Sequence, residues 1–258
     1  RVKAGYRCIA PDHMGFGRSD KPTDIHWYTI ARHTEILTSL IVELDLQDIT
    51  LVCQDWGGPT GLAQAATMPE RFSDLVIMNT WLHHPEYEYS DGIKRWNAGW
   101  HEGGTFARKT PNIGLLLVLS AGLMEPGSFM SAFIDRTDPQ LTGVAADMYA
   151  GFSAPYQGLP DEGFNGYRRF PLSIPVDNYH NGNSAAQTLH YRTLLNWSSM
   201  GKGCYFIWGC TDDVFTEAWG RQWAEQMNAR FDPLPDAGHF PQNTHGRRLA
   251  ELILDGKD

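Results

Sequence analysis

The sequence predicts an α/β fold in which a mostly parallel β-sheet is joined by crossover helices and carries an inserted helical cap. Short apolar runs alternate with segments of helical periodicity near both ends of the chain, which is typical of a parallel sheet. The middle of the chain lacks this alternation. With 258 residues, 42% of them hydrophobic and 20% charged, the composition is that of a globular protein.

The first third of the chain contains three candidate strands and two candidate helices. Residues 6–10 are a short apolar run closed by a proline, which suits a buried strand. Residues 29–44 carry apolar side chains at helical spacing, and residues 49–53 form a second apolar run. Residues 57–68 are small and compatible with a helix, and residues 75–78 are the third strand candidate. This order indicates parallel strands with crossover helices.

The middle of the chain is the predicted cap, because Trp, Tyr, Pro and Gly are frequent there and the helical pieces are short. The chain therefore divides into a first core part at residues 1–81, a helical cap at residues 82–183 and a second core part at residues 184–258. The alternation returns in the second core part, with helices expected at residues 186–197, 215–228 and 247–254 and strands at 204–208 and 230–234.

Charge and cysteine content exclude several classes of protein. Lys plus Arg total 21 and Asp plus Glu total 30, for a formal charge of −9 and no basic run, which argues against nucleic-acid binding. The longest apolar run, residues 113–124, is too short to span a bilayer, and no targeting segment is visible at the start. The four cysteines lack metal-ligand spacing, so we expect reduced thiols in a cytoplasmic protein, and we take a monomer as its expected state.

The strongest candidate for chemistry lies where the strand at residues 49–53 runs into a turn and then a helix. Strand, sharp turn and helix form the context of a nucleophile elbow, whose apex residue is flanked by small residues. Here the apex is Asp55, with Cys53 before it and Gly57 after it. The alternative interpretation is that Asp55 only caps the following helix, a common use of aspartate.

Two further polar residues follow later strands. Asp212 comes just after the strand at residues 204–208, and His239 just after the strand at 230–234. Active sites of open parallel sheets lie beyond the carboxyl ends of the strands, so we expect Asp55, Asp212 and His239 to meet there as nucleophile, acid and base. Asp213 is the rival acid, and it would otherwise cap the next helix.

The motifs around these residues resemble those of haloalkane dehalogenases, a family of the α/β-hydrolase superfamily. The resemblance spans nearly the whole chain, is weak between about residues 83 and 140, and favours the subfamily whose catalytic acid follows the later strand, here Asp212. The residues that carry it are Ile9-Ala10-Pro11-Asp12, Gly15 to Pro22, Ile49 to Gly58, Val76 to Thr80, Arg169-Phe170-Pro171 and Asp236 to Phe240.

The expected activity is hydrolysis of a small apolar haloalkane to an alcohol and a halide ion, without a cofactor. An aspartate is ionised at neutral pH, so Asp55 can attack an sp³ carbon without losing a proton. His239 would then activate water to hydrolyse the ester, with Asp212 orienting the imidazole. The backbone N–H of Trp56 would help to stabilise the oxyanion and its indole N–H the halide, although a Trp is more often a core aromatic.

The sequence departs from the resembled family at two places. The alignment puts Phe133 where the subfamily has a second, halide-holding Trp in the cap, and Phe has no N–H to donate. Halide stabilisation would then rest on Trp56, with activity on bromides and iodides and little on chlorides. The family also has strands and a His-Gly-x-Pro loop before the position of Tyr6, which supplies another oxyanion donor, so we expect this chain to be a fragment.

Two other functions remain open from the sequence. An epoxide hydrolase also uses an Asp nucleophile and needs two cap tyrosines, but those enzymes usually carry His at the position of Gln54. A non-catalytic binding protein on the same fold is suggested by the two departures. The tyrosines available for the first alternative are Tyr149, Tyr156, Tyr179 and Tyr191.

A metal site is not expected. His83, His84 and Glu86 are suitable ligand types, but adjacent residues on a strand point to opposite faces.

Overall fold

Four parallel strands form the sheet of the computed structural model, which describes residues 4–84, 88–101, 103–108, 112–135, 140–175 and 183–256. Within these residues the strands lie side by side in chain order. They are β1 (Ile49–Gln54), β2 (Phe72–Met78), β3 (Gly203–Gly209) and β4 (Arg230–Leu234). All three pairings are parallel, so the predicted sheet and its strands in the second core part are confirmed.

The central strand β2 shows why the sheet is covered on both faces. Leu75 and Ile77 pack into one hydrophobic cluster, whereas Val76 and Met78 pack into another. Successive side chains of a strand point to opposite faces, so each face of the sheet has its own apolar layer. A strand that is buried on both faces reads as a continuous apolar run, as this one does.

The strand predicted at residues 6–10 is wrong. These residues form neither helix nor strand, and Ile9 is 41% exposed. An apolar run becomes a strand only where its backbone groups find a neighbouring strand to pair with. Among the described residues β1 pairs only with β2, and no strand lies alongside residues 6–10.

The first helix, α1, spans Ile30–Glu43. Thr29 begins it, because its side-chain oxygen accepts a hydrogen bond from the backbone N–H of Arg32. The segment after β1 starts as a π-helical turn at Gly58–Leu62 and continues as α2 (Ala63–Thr67). The helices expected at residues 29–44 and 57–68 are therefore confirmed. Single 3₁₀ turns lie at Ile25–Trp27 and Pro69–Arg71.

The described residues between β2 and β3 are helical or irregular. Trp100, Leu115, Phe129 and Tyr167 form a hydrophobic cluster here that is separate from those of the sheet. This second core agrees with an inserted cap, whose limits at residues 82 and 183 stay a prediction. The helices are α3 (Asp91–Trp100), α4 (Thr105–Arg108), α5 (Ile113–Ser120), α6 (Pro126–Asp135), α7 (Gly143–Ser153) and α8 (Asn165–Leu172), with 3₁₀ turns at Ala154–Tyr156 and Asp161–Phe164.

The last helices cover the two faces of the sheet. Leu249 and Leu252 of the final helix join Val76 in one apolar layer, and Trp223 joins Leu75 in the other. The three helices expected after residue 184 are confirmed. The elements are α9 (Ser184–Leu194), a 3₁₀ turn (Ser198–Met200), α10 (Glu217–Gln226), α11 (Pro241–Thr244) and α12 (Gly246–Asp255). No helix in the described part of the chain is both long and apolar enough to cross a membrane.

Candidate active site

Asp55 follows β1 directly and adopts a backbone conformation that is uncommon for residues other than glycine. Its φ is +50°, in the left-handed region, which is found repeatedly at functional turns. The Asp55 N–H donates to the carbonyl oxygen of Asn79 at 3.0 Å, and the Asp55 carbonyl oxygen accepts from the hydroxyl of Thr80. These bonds to the residues after β2 hold the turn in place.

The turn also requires a glycine three residues on. A Cβ at Gly58 would lie 2.0 Å from Oγ1 of Thr80, the same hydroxyl that donates to Asp55. Only a residue without a side chain lets the backbone approach β2 so closely. This local arrangement is that of the predicted elbow, with the Asp55 carboxylate at its apex.

His239 lies in the loop after β4 and contacts both carboxylates expected of the site. Its Nε2 is 3.1 Å from Oδ1 of Asp55, and its Nδ1 is 2.8 Å from Oδ2 of Asp212. Its backbone carbonyl accepts from the side-chain amide of Gln54 at 2.9 Å. The carboxylate of Asp55 therefore faces a histidine, which is a contact that helix capping alone would not need.

The two candidate acids have different surroundings. Asp212 is 6% exposed, and its Oδ1 accepts from the backbone N–H of Val214 at 2.8 Å. Asp213 is exposed and pairs with Arg95 of α3 at 2.5 Å. The residue that precedes α10 is Thr216, so the expectation that Asp213 caps this helix is wrong. The geometry brings Asp212, and not Asp213, to His239.

Asn79 is a site residue that the sequence reasoning missed. It is fully buried at the end of β2, and its Nδ2 donates to Oδ2 of Asp212 at 2.9 Å. It also exchanges two hydrogen bonds with the backbone of Gly209, at 3.0 Å and 2.8 Å. An Asn directly after a buried apolar strand was the available signal, since a buried amide needs partners.

The loops that carry Asp212 and His239 touch through their backbones. A Cβ at Gly209 would lie 2.2 Å from the carbonyl oxygen of Gly238. The backbone N–H and the hydroxyl of Thr211 both donate to the carbonyl oxygen of Ala237, at 3.0 Å and 2.9 Å. The spacing between acid and histidine is thus fixed by main-chain contacts.

The charge of His239 depends on its two neighbours. Burial by itself lowers the pKa of this imidazole, but the charge and hydrogen bond of Asp212, assisted by those of Asp55, raise it to about 10. The two carboxylates therefore favour the imidazolium form of His239. Its ring also packs against Phe215 and Phe240, with centroids 5.4 Å and 4.6 Å away, and these rings shield the imidazole from bulk water.

Aromatic rings surround Trp56, the residue after the nucleophile candidate. Its indole meets Trp81 with ring centroids 4.9 Å apart and Phe170 of α8 with centroids 5.2 Å apart. Trp81 in turn stacks on Phe215 at 5.1 Å. Trp56 thus lies between the sheet and the helices that connect β2 to β3, in apolar surroundings next to Asp55.

Some residues singled out in the sequence do not join this site. The hydroxyl of Tyr156 donates to the carbonyl oxygen of Gly15 at 2.9 Å, and that of Tyr191 donates to Gln226. His83 bonds to Tyr89, and His84 stacks on Tyr191. Phe133 belongs to α6, but its side chain lies outside the described part of the structure, as do Glu86 and Tyr179.

Comparison with known proteins agrees with this arrangement. The family model for the alpha/beta hydrolase fold matches residues 2–245. A haloalkane dehalogenase of Psychrobacter cryohalolentis is 31% identical over 97% of this chain and 74% of its own length. Haloalkane dehalogenase 1 of Mycobacterium bovis is 35% identical with the same coverage. The structure of a haloalkane dehalogenase from Paraglaciecola agarilytica, described as tetrameric, has a TM-score of 0.76 and 29% identity over 97% of this chain and 74% of that one. The chain belongs to the haloalkane dehalogenase family, within the α/β-hydrolase fold.

Proposed function

We propose that this protein hydrolyses the carbon–halogen bond of small apolar haloalkanes, with an ester of Asp55 as intermediate. The observation that carries this proposal is the line of contacts from Asp55 to His239 to Asp212, at 3.1 Å and 2.8 Å. The aromatic rings around Trp56, the residue next to Asp55, suit an apolar substrate, which gains free energy from leaving water.

In the first step an oxygen of the Asp55 carboxylate attacks the carbon that carries the halogen. The new C–O bond forms as the carbon–halogen bond breaks, and the electron pair leaves with the halide ion. No proton moves, since the carboxylate is ionised at neutral pH. Trp56 directly follows the nucleophile in the chain, and in this scheme its indole N–H donates to the halide as negative charge develops on it.

The ester changes the protonation of His239. Asp55 loses its negative charge on alkylation, and this charge is one of the influences that raise the pKa of His239. The imidazolium then gives up its proton to solvent more readily and becomes a base. In this scheme the base is released only after the nucleophile has reacted.

In the second step His239 takes a proton from water as the water oxygen attacks the carbonyl carbon of Asp55. The backbone N–H of Trp56, directly after the nucleophile, stabilises the oxyanion. Collapse of this intermediate expels the alkoxide, which leaves as the alcohol after protonation, and the carboxylate is restored. Asp212 orients the imidazole and stabilises its charged form throughout.

The proposed enzyme has a cap over its active site, acts in the cytoplasm and is a monomer. The predicted cap meets the site, because Phe170 contacts Trp56 and Ser90 donates to the carbonyl oxygen of Val214 at 2.6 Å. All four cysteines are free thiols, and Cys53 and Cys204 are buried, which supports a reducing, cytoplasmic location. A monomer that acts without a cofactor completes the proposal.

The test is to trap the ester. With His239→Phe, 1-bromobutane should alkylate the protein without turnover, and mass spectrometry should find a butyl group on the peptide that contains Asp55. The matched control is His239→Phe combined with Asp55→Asn, which should give no adduct. An adduct on another residue of a protein that releases bromide would show that Asp55 is not the nucleophile.

A further inference from the structure

Trp81 presents a buried N–H group beside the proposed site, and among the described residues this group has no hydrogen-bond partner. The residue is 1% exposed, and its Nε1 has no acceptor within the described part of the chain. A buried donor without a partner costs about 1–3 kcal/mol. Phenylalanine would fill an apolar position without that cost, so the N–H of this residue needs an explanation.

Three described tryptophans share this property, and their neighbours distinguish them. Trp100 and Trp223 also have a buried Nε1 without a partner in the described residues. Trp100 packs among the aromatic rings of the helical segment, and Trp223 packs on Tyr191 and Phe206 in the core. Trp81 is the member of this group whose ring contacts Trp56.

The position of Trp81 is tied to the catalytic candidates through its own chain. It follows Asn79 and Thr80, which bond to Asp212 and to the backbone of Asp55. Its ring lies between those of Trp56 and Phe215, and Phe215 packs on His239. The indole therefore belongs to the layer of side chains that surrounds the reacting groups.

We propose that Trp81 supplies a second indole N–H to the departing halide, alongside Trp56; this inference rests on the proposed dehalogenase function. The two rings meet edge to face, at 63° and with centroids 4.9 Å apart, so a halide bound by Trp56 on the side of Trp81 would contact both indoles. The carbon–halogen bond breaks with its electron pair on the halogen. Both indoles donate hydrogen bonds and keep their protons.

The arrangement changes the substrate range expected from the sequence. With Phe133 at the alignment position of the second donor, the sequence predicts little activity on chlorides. A second donor from the core supplies the missing stabilisation where chloride, the poorer leaving group, needs it most. The parent enzyme should then release chloride from 1-chlorobutane as well as bromide from 1-bromobutane.

The first test measures anion binding without turnover. The ³⁵Cl resonance of chloride broadens when the ion exchanges with a protein site. The fraction of this broadening that disappears when bromide is added reports specific anion sites. Trp81→Phe should lose most of this bromide-sensitive broadening. Trp223→Phe, which removes an equally buried N–H without a partner among the described residues, should keep it. Equal broadening by the parent and Trp81→Phe, or none by the parent, overturns the inference.

The second test compares leaving groups. Trp81→Phe should lower kcat/KM for 1-chlorobutane by about 10²-fold, as expected for one lost donor, and for 1-bromobutane by clearly less. Trp223→Phe should leave the ratio of the two unchanged. Equal losses on both substrates would assign Trp81 a packing role and overturn the inference, while bromide release by the parent would still support the proposed function.

A further variant separates the loss of the N–H group from the loss of packing. Replacing Trp81 by β-(benzothienyl)alanine keeps the bicyclic shape and removes only the N–H, so packing against Phe215 is retained. This protein should show the same loss in chloride broadening as Trp81→Phe. If the parent releases halide from neither substrate, the proposed function fails, and the chloride titration still decides whether Trp81 contacts an anion.

Discussion

The imidazole of His239 and the carboxylate of Asp55 lie 3.1 Å apart, so the proposed nucleophile and the proposed base form an ion pair before substrate arrives. Asp212 holds the other side of the ring at 2.8 Å. The charged histidine is thereby stabilised in the folded protein far more than in an unfolded chain, where its neighbours are absent. Stability and activity should both depend on this charge.

Stability should fall as the pH rises above neutrality. The pKa of His239 is about 10 in the folded protein, and its ordinary value is 6.5. Between pH 6.5 and pH 10 this histidine therefore holds a proton in the folded state that it has lost in the unfolded state. The stabilisation is complete below about pH 6.5 and is lost as the pH approaches 10. Urea unfolding at several pH values should show this decline, and His239→Phe should lack it. His245→Gln, at a partly exposed histidine, is the control, and an identical decline in all three proteins would contradict the prediction.

Asp212→Asn should remove most of the activity, by up to about 10⁴-fold, because the imidazole loses its orienting carboxylate. The pKa of His239 should fall at the same time, and NMR titration of the ring can follow it. Asp213→Asn is the matched control, since this exposed residue pairs with Arg95 and should cost little. Loss of activity in the control alone would identify Asp213 as the acid.

Asn79→Ala should destabilise the protein and slow the reaction. The change leaves the backbone groups of Gly209 and one oxygen of Asp212 short of partners, at about 1–3 kcal/mol for each unsatisfied group. Because Asn79 has a φ of +29°, Asn79→Gly separates backbone strain from the lost amide. Urea unfolding should find both variants less stable, with glycine the milder, and a glycine variant as stable as the parent would leave the amide without a role.

Gly58→Ala should disrupt the elbow, because its methyl group would meet the hydroxyl of Thr80. We expect a loss of about 1–3 kcal/mol in the free energy of unfolding, the usual cost of overpacking, together with loss of activity. Thr80→Ala in the same protein removes the clashing atoms and should restore part of the stability. Additive losses in the double variant would show that the two residues do not meet.

The three residues at strand ends were predictable from the sequence because parallel strands all present their carboxyl ends to one edge of the sheet. Asp55, Asp212 and His239 follow β1, β3 and β4, so their meeting follows from topology. Whether Asp212 or Asp213 faces His239 depends on the geometry of the turn after β3. Two adjacent aspartates in a sequence do not reveal that geometry. The sequence supported this choice only through resemblance to a family.

Other features depend on contacts between segments far apart in the chain. The role of Asn79 arises because β2 lies between β1 and β3, which brings its end beside both Asp55 and Gly209. The strand expected at residues 6–10 failed for the same reason, since an apolar run does not reveal whether a neighbour exists. Periodicity is local, whereas pairing and hydrogen bonding of buried amides are not.

The backbone contact between Gly209 and Gly238 has a consequence for protein engineering. Because a Cβ at Gly209 would lie 2.2 Å from the carbonyl oxygen of Gly238, the turns after β3 and β4 pack main chain against main chain. A loop graft that replaces only one of the two turns would disrupt the backbone contact between them. A transplant into a related scaffold should carry both turns together, and recombination libraries should place their crossover points outside this pair.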